Sequence, residues 1–511
     1  MLSFTHMLRA SALRKSLIFI HRWLGVALCL LFLLWFTSGI AMMYCDFPGV
    51  SEADRLEHSP ALDPWEVRLS PSKAFDALHP QQRATEVRLT SHDGRPVYSF
   101  LIAGKEKLVY ADTGELPLNV NAATALRIGA AWIGKSAATG KIEPIDLDQW
   151  TVPETIGNLR PFWKCSWSNG EQVYVSAITG QVVQYTSTQS RFWAYLGPIP
   201  HWLYFTPLRR HSQEWRQFII CASGAGVVSA ILGITIGISM YSPRKGYRHR
   251  GERTAIPYRG IKRWHTMLGL IFGTGAVTWV FSGMLSMDPF PTGTSANMSG
   301  NNIAAHVAAA LRGPLELPAF DSKTPGQALA QLAPLQVREL ELISFEGQPT
   351  YIARTDRESR IVPLPGEPTL EFGIERVVAT LRHAAGANVA ALSVMNQYGV
   401  YYLDRRHVLP LPVLELRLND AEHTRLYVDP KTARVAGVYN SRLWTSRWLY
   451  HALHSLDVPW LYKYRPLWDA IVISFMLGGT ALSLLSVVLA WRVLKRNSAL
   501  AASPTDSDTR T

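Results

Sequence analysis

The sequence predicts a membrane α+β protein: a bundle of four transmembrane helices built from two parallel repeats, each repeat carrying a large α+β domain outside the membrane. Three observations lead there. Four apolar runs are each long enough for the roughly 20 residues that cross a hydrocarbon core about 30 Å thick. The first run aligns with the third, and the second with the fourth, without gaps. The long polar segments between them carry alternating strand patterns that end in turn residues.

The four runs cover residues 17–43, 216–241, 264–287 and 468–492 of the 511-residue chain. The first reads as a retained anchor, because its apolar stretch is long and no small-residue cleavage site follows it. Charge then gives the orientation. Residues 1–16 hold Arg9, Arg14 and Lys15 without an acid. The loop 242–263 holds eight Lys or Arg residues against Glu252 alone, and the tail 493–511 adds Lys495, Arg496 and Arg510 beside Arg492. By the positive-inside rule both termini and the 242–263 loop face the cytoplasm, and segments 44–215 and 288–467 face the other side. The formal charge of +12 is therefore a matter of topology and gives no reason to invoke nucleic acid. Cys29 and Cys221 fall in apolar helices as packing residues. Cys45 and Cys165 fall on the outer side, where a disulfide can form.

The duplication is read residue by residue. Displaced by 244 positions, the first helix lies on the third: His21 on His265, Gly25 on Gly269, Trp35 on Trp279, Ser38 on Ser282 and Gly39 on Gly283. Displaced by 253, the second helix and its lead-in lie on the fourth: His201 on His454, Leu203 on Leu456, Trp215 on Trp468 and Gly226 on Gly479. Each unit crosses twice, so both copies share one orientation, as in parallel repeats about an axis along the membrane normal.

In the outer segments, PVYSFLI, KLVYADTGEL and EQVYVSAITGQVVQYT read as strands of the first copy, and PTYIAR and TRLYVDPKTARVAGVY as strands of the second. SPSKAFDALHP and GIERVVATLRHA read as helices. Asp112-Thr113-Gly114 and Thr179-Gly180 are hairpin turns in which glycine supplies a positive φ.

The strand-turn-strand stretches LVYADTGEL and LYVDPKTARV resemble PepSY modules. The stretches HRWLGVALCLLFLLWFTSGI, RWHTMLGLIFGTGAVTWVFSGM and LHSLDVPWLY, the last followed by a tryptophan, resemble the helices of the PepSY-associated transmembrane family. The resemblance covers nearly the whole chain. It implies PepSY-like periplasmic domains and a bacterial inner-membrane, haem-containing oxidoreductase that acts on ferric siderophores or similar metal chelates. Reduction to Fe(II) would loosen hard oxygen ligands and release iron for uptake.

Four histidines carry the chemistry. His21 and His265 lie at the cytoplasmic ends of their helices. His201 and His454 lie on the outer side, each 14 residues before the tryptophan that opens the returning helix. Within a copy the two levels are separated by about 30 Å, so a shared ligand is excluded. Across copies the depths match, and the natural pairs are His21 with His265 and His201 with His454. Two imidazoles on neighbouring helices suit a haem with both axial positions filled, so two haem b groups are expected. Zinc would ask for Cys, Asp or Glu as well, and none lies within a turn of His21 or His265. Packing against lipid headgroups accounts for any one such histidine; recurrence at both positions of a duplicated frame favours ligation. His451, one turn before His454, has no counterpart in the first copy and is an alternative ligand or a neighbour of one.

Arg22 and Arg263, with Lys262, are candidate partners for haem propionates, although headgroup anchoring accounts for them equally. The helix glycines permit close approach of a helix or a flat macrocycle. No Walker motif, strand-borne GxGxxG or HExxH is present, so electrons must come from a separate cytoplasmic reductase or from membrane quinol. Two other readings stay open. One keeps the haems and changes the acceptor to a cupric ion or a periplasmic redox protein. The other is a haem-free sensor or accessory protein whose PepSY domains bind partners.

Overall fold

The structure, a computed structural model, describes residues 2–244, 246–249, 252–289, 303–404 and 406–501. Lys245, Arg250 and Arg510 of the basic stretches, and residues 290–302 of the predicted second outer segment, lie outside the described residues. The chain divides into two compact units. One comprises Met1–Phe47, Phe192–Thr294 and Leu443–Thr511; the other comprises Pro48–Arg191 and Ser295–Arg442.

The second unit is mixed α+β. Its strands are β1 (Glu86–His92), β2 (Arg95–Ile102), β3 (Lys105–Tyr110), β4 (Lys141–Ile145), β5 (Phe162–Ser166), β6 (Gln172–Ser176) and β7 (Val182–Thr186). Strands β8 (Tyr247–His249) and β9 (Glu252–Thr254) form a hairpin in the helical unit. The mixed unit continues with β10 (Glu339–Phe345), β11 (Gln348–Arg354), β12 (Ser359–Pro363), β13 (Val389–Met395), β14 (Val413–Leu418), β15 (Arg425–Asp429) and β16 (Arg434–Tyr439).

The sequence assigns the two outer segments to separate domains, whereas the structure joins them through a single six-stranded antiparallel sheet in the order β12-β11-β10-β1-β2-β3. The seam is β1 against β10, with Val87 opposite Leu342 and Leu89 opposite Leu340. These four side chains are buried, and Tyr98, Phe100, Phe320 and Tyr351 share their cluster. Pairing β1 with β10 removes an exposed edge from each three-stranded half and merges two small cores into one. Two four-stranded sheets, β4-β5-β6-β7 and β13-β14-β15-β16, are each covered by one helix. Ala122–Trp132 packs Ala125 and Trp132 on Cys165 and Val173, and Ile374–Ala385 packs Val377 and Leu381 on Leu414 and Leu416.

Charges at the seam are matched. Arg354 contacts Glu52, lies 3.1 Å from Glu341 and 3.6 Å from Glu339, and Glu341 also accepts from Arg312 at 3.0 Å. Cys45 and Cys165, between which the sequence allows a disulfide, are both free thiols. Cys165 is buried, its Sγ donates to the Ala125 carbonyl at 3.5 Å, and burial pushes its pKa up to about 12.

The helical unit holds four helices long and apolar enough to cross a membrane: Ala12–Met42, Ser212–Met240, Gly260–Leu285 and Leu467–Ser498. At about 1.5 Å per residue, even the 26-residue third helix exceeds a 30 Å hydrocarbon core. Leu30, Ile271 and Leu477 are more than half exposed, which suits lipid and not water. The first helix packs on the fourth and the second on the third; first–second and third–fourth contacts close the ring.

Small residues and aromatics interlock inside. A Cβ at Gly226 would stand 3.0 Å from Val280 and 3.2 Å from Phe32, and one at Gly479 would strike the Phe36 ring. Those glycines let Phe36, Trp279 and Phe475 meet edge to face, at 6.0 and 6.2 Å between ring centres.

The sequence placed residues 192–215 and 443–467 with the outer domains, but they belong to the helical unit. They form short helices, among them Pro198–Trp202 and Leu453–Ser455, each followed by a leucine in the left-handed region: Leu203 at φ 53° and Leu456 at φ 50°. Buried tryptophans tie both turns down. Trp215 Nε1 donates to the Trp202 carbonyl at 3.0 Å, and Trp468 Nε1 donates to the Ser455 carbonyl at 3.1 Å. A π-helix, Thr445–Ala452, precedes Leu453 and is not foreshadowed by the residue pattern.

Candidate functional site: two pairs of imidazoles

The tied-down turns deliver His201 and His454 to one place. Their ring centres are 6.0 Å apart at 68°. His201 Nδ1 lies 3.2 Å from the Trp35 carbonyl and 3.1 Å from Ser38 Oγ. His454 Nδ1 lies 3.3 Å from the Trp279 carbonyl and 3.0 Å from Ser282 Oγ. A carbonyl only accepts, so each Nδ1 carries the proton, and Nε2 of the neutral ring carries the lone pair. Burial pushes the His201 imidazole down to about 4 against the opposing Trp35 carbonyl bond, which keeps the ring neutral at pH 7.

The second pair sits near the opposite ends of the same helices. His21 and His265 have ring centres 6.3 Å apart at 43°. His21 Nδ1 donates to the Ser229 carbonyl at 2.9 Å. His265 Nδ1 lies 3.3 Å from Ser486 Oγ, which itself donates to the Leu482 carbonyl at 2.8 Å. Fourteen residues separate His265 from Trp279, and His21 from Trp35, so the two pairs lie roughly 21 Å apart along the helices, less than the separation of about 30 Å expected from the sequence, because His201 and His454 reach the Trp35 and Trp279 carbonyls inside the helices.

Both pairs have the spacing of imidazoles that share one metal. Bonds of about 2.0–2.1 Å from metal to each nitrogen set ring centres roughly 6 Å apart. Among the described residues no three His, Cys, Asp or Glu side chains cluster as a metal site. A metal held by either pair must therefore bring its remaining ligands with it, as a macrocycle does. Beside His201 and His454 lies an apolar cleft, lined by Phe32, Trp35, Phe36, Ser223, Trp279 and Met476. The Trp279 indole N–H in its wall is buried and has no hydrogen-bond partner among the described residues. The residues present thus fit a flat, metal-bearing cofactor.

The structure brings together the four histidines paired on sequence. His454, not His451, meets His201; His451 is exposed and lies against Tyr450, with ring centres 4.7 Å apart at 48°. Arg22 and Arg263 are exposed, and the Arg22 guanidinium lies over Phe19 and Trp23 at 5.4 and 5.7 Å.

Sequence reasoning missed the groups that hold the imidazoles. Ser38 and Ser282 were visible as a coincidence in the duplicated frame, but nothing there tied a serine on one helix to a histidine far along the chain. Gly233 was missed altogether: a Cβ there would stand 2.8 Å from His21 Cε1. The Ser229 and Leu482 carbonyls carry no side-chain signal. No protein-family model matches the chain, and no curated protein matches it.

Proposed function

We propose that this chain is a di-haem b protein of the bacterial inner membrane, of the PepSY-associated type, that passes electrons outward and reduces a periplasmic ferric chelate of the siderophore class. The observation that carries the reading is the two imidazole pairs, 6.0 and 6.3 Å between ring centres, with Nδ1 of every ring engaged. Bis-histidine haem supplies one-electron transfer with no open coordination position for small ligands.

The chain's own residues do the rest. The Trp35, Trp279 and Ser229 carbonyls and the Ser486 hydroxyl fix ring orientation, as acceptors behind metal-bound histidines do. Phe36, Trp279 and Phe475 fill the space between the two levels and exclude water.

The basic 1–16 and 242–263 stretches place the His21–His265 pair on the cytoplasmic side. A cytoplasmic reductase or membrane quinol gives up one electron for each Fe(III) reduced outside. The duplication read in the sequence accounts for the matched partners: Trp35 and Trp279 are 244 residues apart, and Ser229 and Leu482 are 253 apart.

The test is haem quantification on full-length protein made with ample haem. Two haems per chain are expected, with a reducible b-type spectrum that reoxidises when a ferric hydroxamate or catecholate is added. A colourless protein would refute the proposal. A haem-loaded protein that ferric chelates leave reduced would keep the haems and exclude this acceptor.

A further inference from the structure

The two imidazole pairs are not held alike. Ser38 Oγ donates to the Leu34 carbonyl at 2.5 Å, so it meets the His201 Nδ1–H as an acceptor. Ser282 Oγ donates to the Trp279 carbonyl at 3.0 Å and likewise accepts from His454. Both serines are buried, at 2% and 0% exposure, so neither hydroxyl exchanges its role with water. Each ring of this pair therefore gives its Nδ1–H to two acceptors, one carbonyl and one hydroxyl.

At the other pair, Ser486 Oγ donates to the Leu482 carbonyl at 2.8 Å and accepts from His265. The position 253 residues before Ser486 is Gly233, where the His21 ring occupies the place a side chain would take. Among the described residues His21 thus has the Ser229 carbonyl alone. One pair has two hydroxyl acceptors and the other has one.

An acceptor behind a metal-bound imidazole makes the ring a stronger donor and favours the more oxidised metal. Ferric chelates of hard oxygen ligands are difficult to reduce, so the centre that faces them must be a strong reductant. We infer that Ser38 and Ser282 are positioning residues that lower the reduction potential at the His201–His454 pair, making it the stronger reductant toward an outside ferric chelate. The inference rests on the haem reading above and adds to it which residues set the driving force.

The experiment is potentiometric titration of full-length wild type, Ser38→Ala, Ser282→Ala, the double variant and Ser486→Ala, with haem content measured on each. Alanine keeps the helix and removes only the acceptor. The double variant should retain two haems and raise the midpoint of one, shifting its oxidised-to-reduced ratio about tenfold, or about 59 mV for a one-electron couple. Ser486→Ala should raise the midpoint of the other. Each single variant keeps one hydroxyl and should give a smaller rise; these carry the measurement if the double variant loses a haem.

Two bound haems with unmoved midpoints would overturn the inference and leave the haem reading standing. So would a shift of the same centre by Ser486→Ala and by the serine pair. A wild type without haem would overturn both.

Discussion

Replacing His454 by alanine removes one of the two imidazoles 6.0 Å apart and leaves its partner His201 with its two acceptors in place. Loss of a group that only orients a ligand typically costs about 10–100-fold in metal affinity, and loss of the ligand itself costs at least the upper end, or about 2.7 kcal/mol. The His21–His265 pair lies roughly 21 Å away along the helices, beyond the distance of about 7–10 Å within which mutational effects couple. Haem content should fall from two per chain to one, and the remaining haem should keep its wild-type midpoint. Pyridine haemochrome assay against protein concentration gives the stoichiometry, and redox titration identifies the survivor. Adding free imidazole should restore part of the lost haem, which a misfolded variant would not allow. Two haems retained in His454→Ala, or one lost in His451→Ala with none lost in His454→Ala, would refute the pairing.

Gly233→Ala should lose the other haem, because its Cβ would stand 2.8 Å from Cε1 of the His21 ring, which the Ser229 carbonyl holds in place at 2.9 Å; unchanged haem content would show that the ring can yield. His451→Ala should leave both haems in place, since that ring is exposed and turned to Tyr450, and an absorption spectrum suffices to check it. Arg354→Met strips the cation shared by Glu52, Glu339 and Glu341 at the β1–β10 seam and should destabilise the mixed unit by about 3–5 kcal/mol, read from denaturant unfolding of the full chain.

Glu415 is a matter of pH. Burial alone would raise its pKa, but Arg417 at 2.8 Å and Arg425 at 2.9 Å outweigh burial and hold it below the usual carboxylate range. Its contribution is then present above that range and lost as pH falls through the lowered value. Glu415→Gln should flatten the acid limb of the stability profile, and an unchanged limb would count against the assignment.

The join between the two polar segments shows what pattern reading misses. Val87, Leu89, Leu340 and Leu342 alternate as strand residues should, and each segment looks able to close its own sheet. Which edge meets which is decided by long-range pairing, because two three-stranded sheets with exposed edges gain by merging their cores. The same holds for residues 192–215 and 443–467. Their short helices read as domain surface in the chain, yet Trp215 and Trp468 pull them into the bundle.

By itself the sequence determined the four long apolar helices and the two levels along them at which the histidines occur, because apolar run length and a repeated frame are local or periodic signals. It also singled out His21, His265, His201 and His454 as the pairs that meet. Tertiary structure alone decided that His454 and not His451 faces His201, that Ser38, Ser282, Ser229 and Ser486 hold the rings, and that Gly233 makes room for one of them. Those are contacts between residues some 160–250 positions apart, and only helix packing brings such groups together.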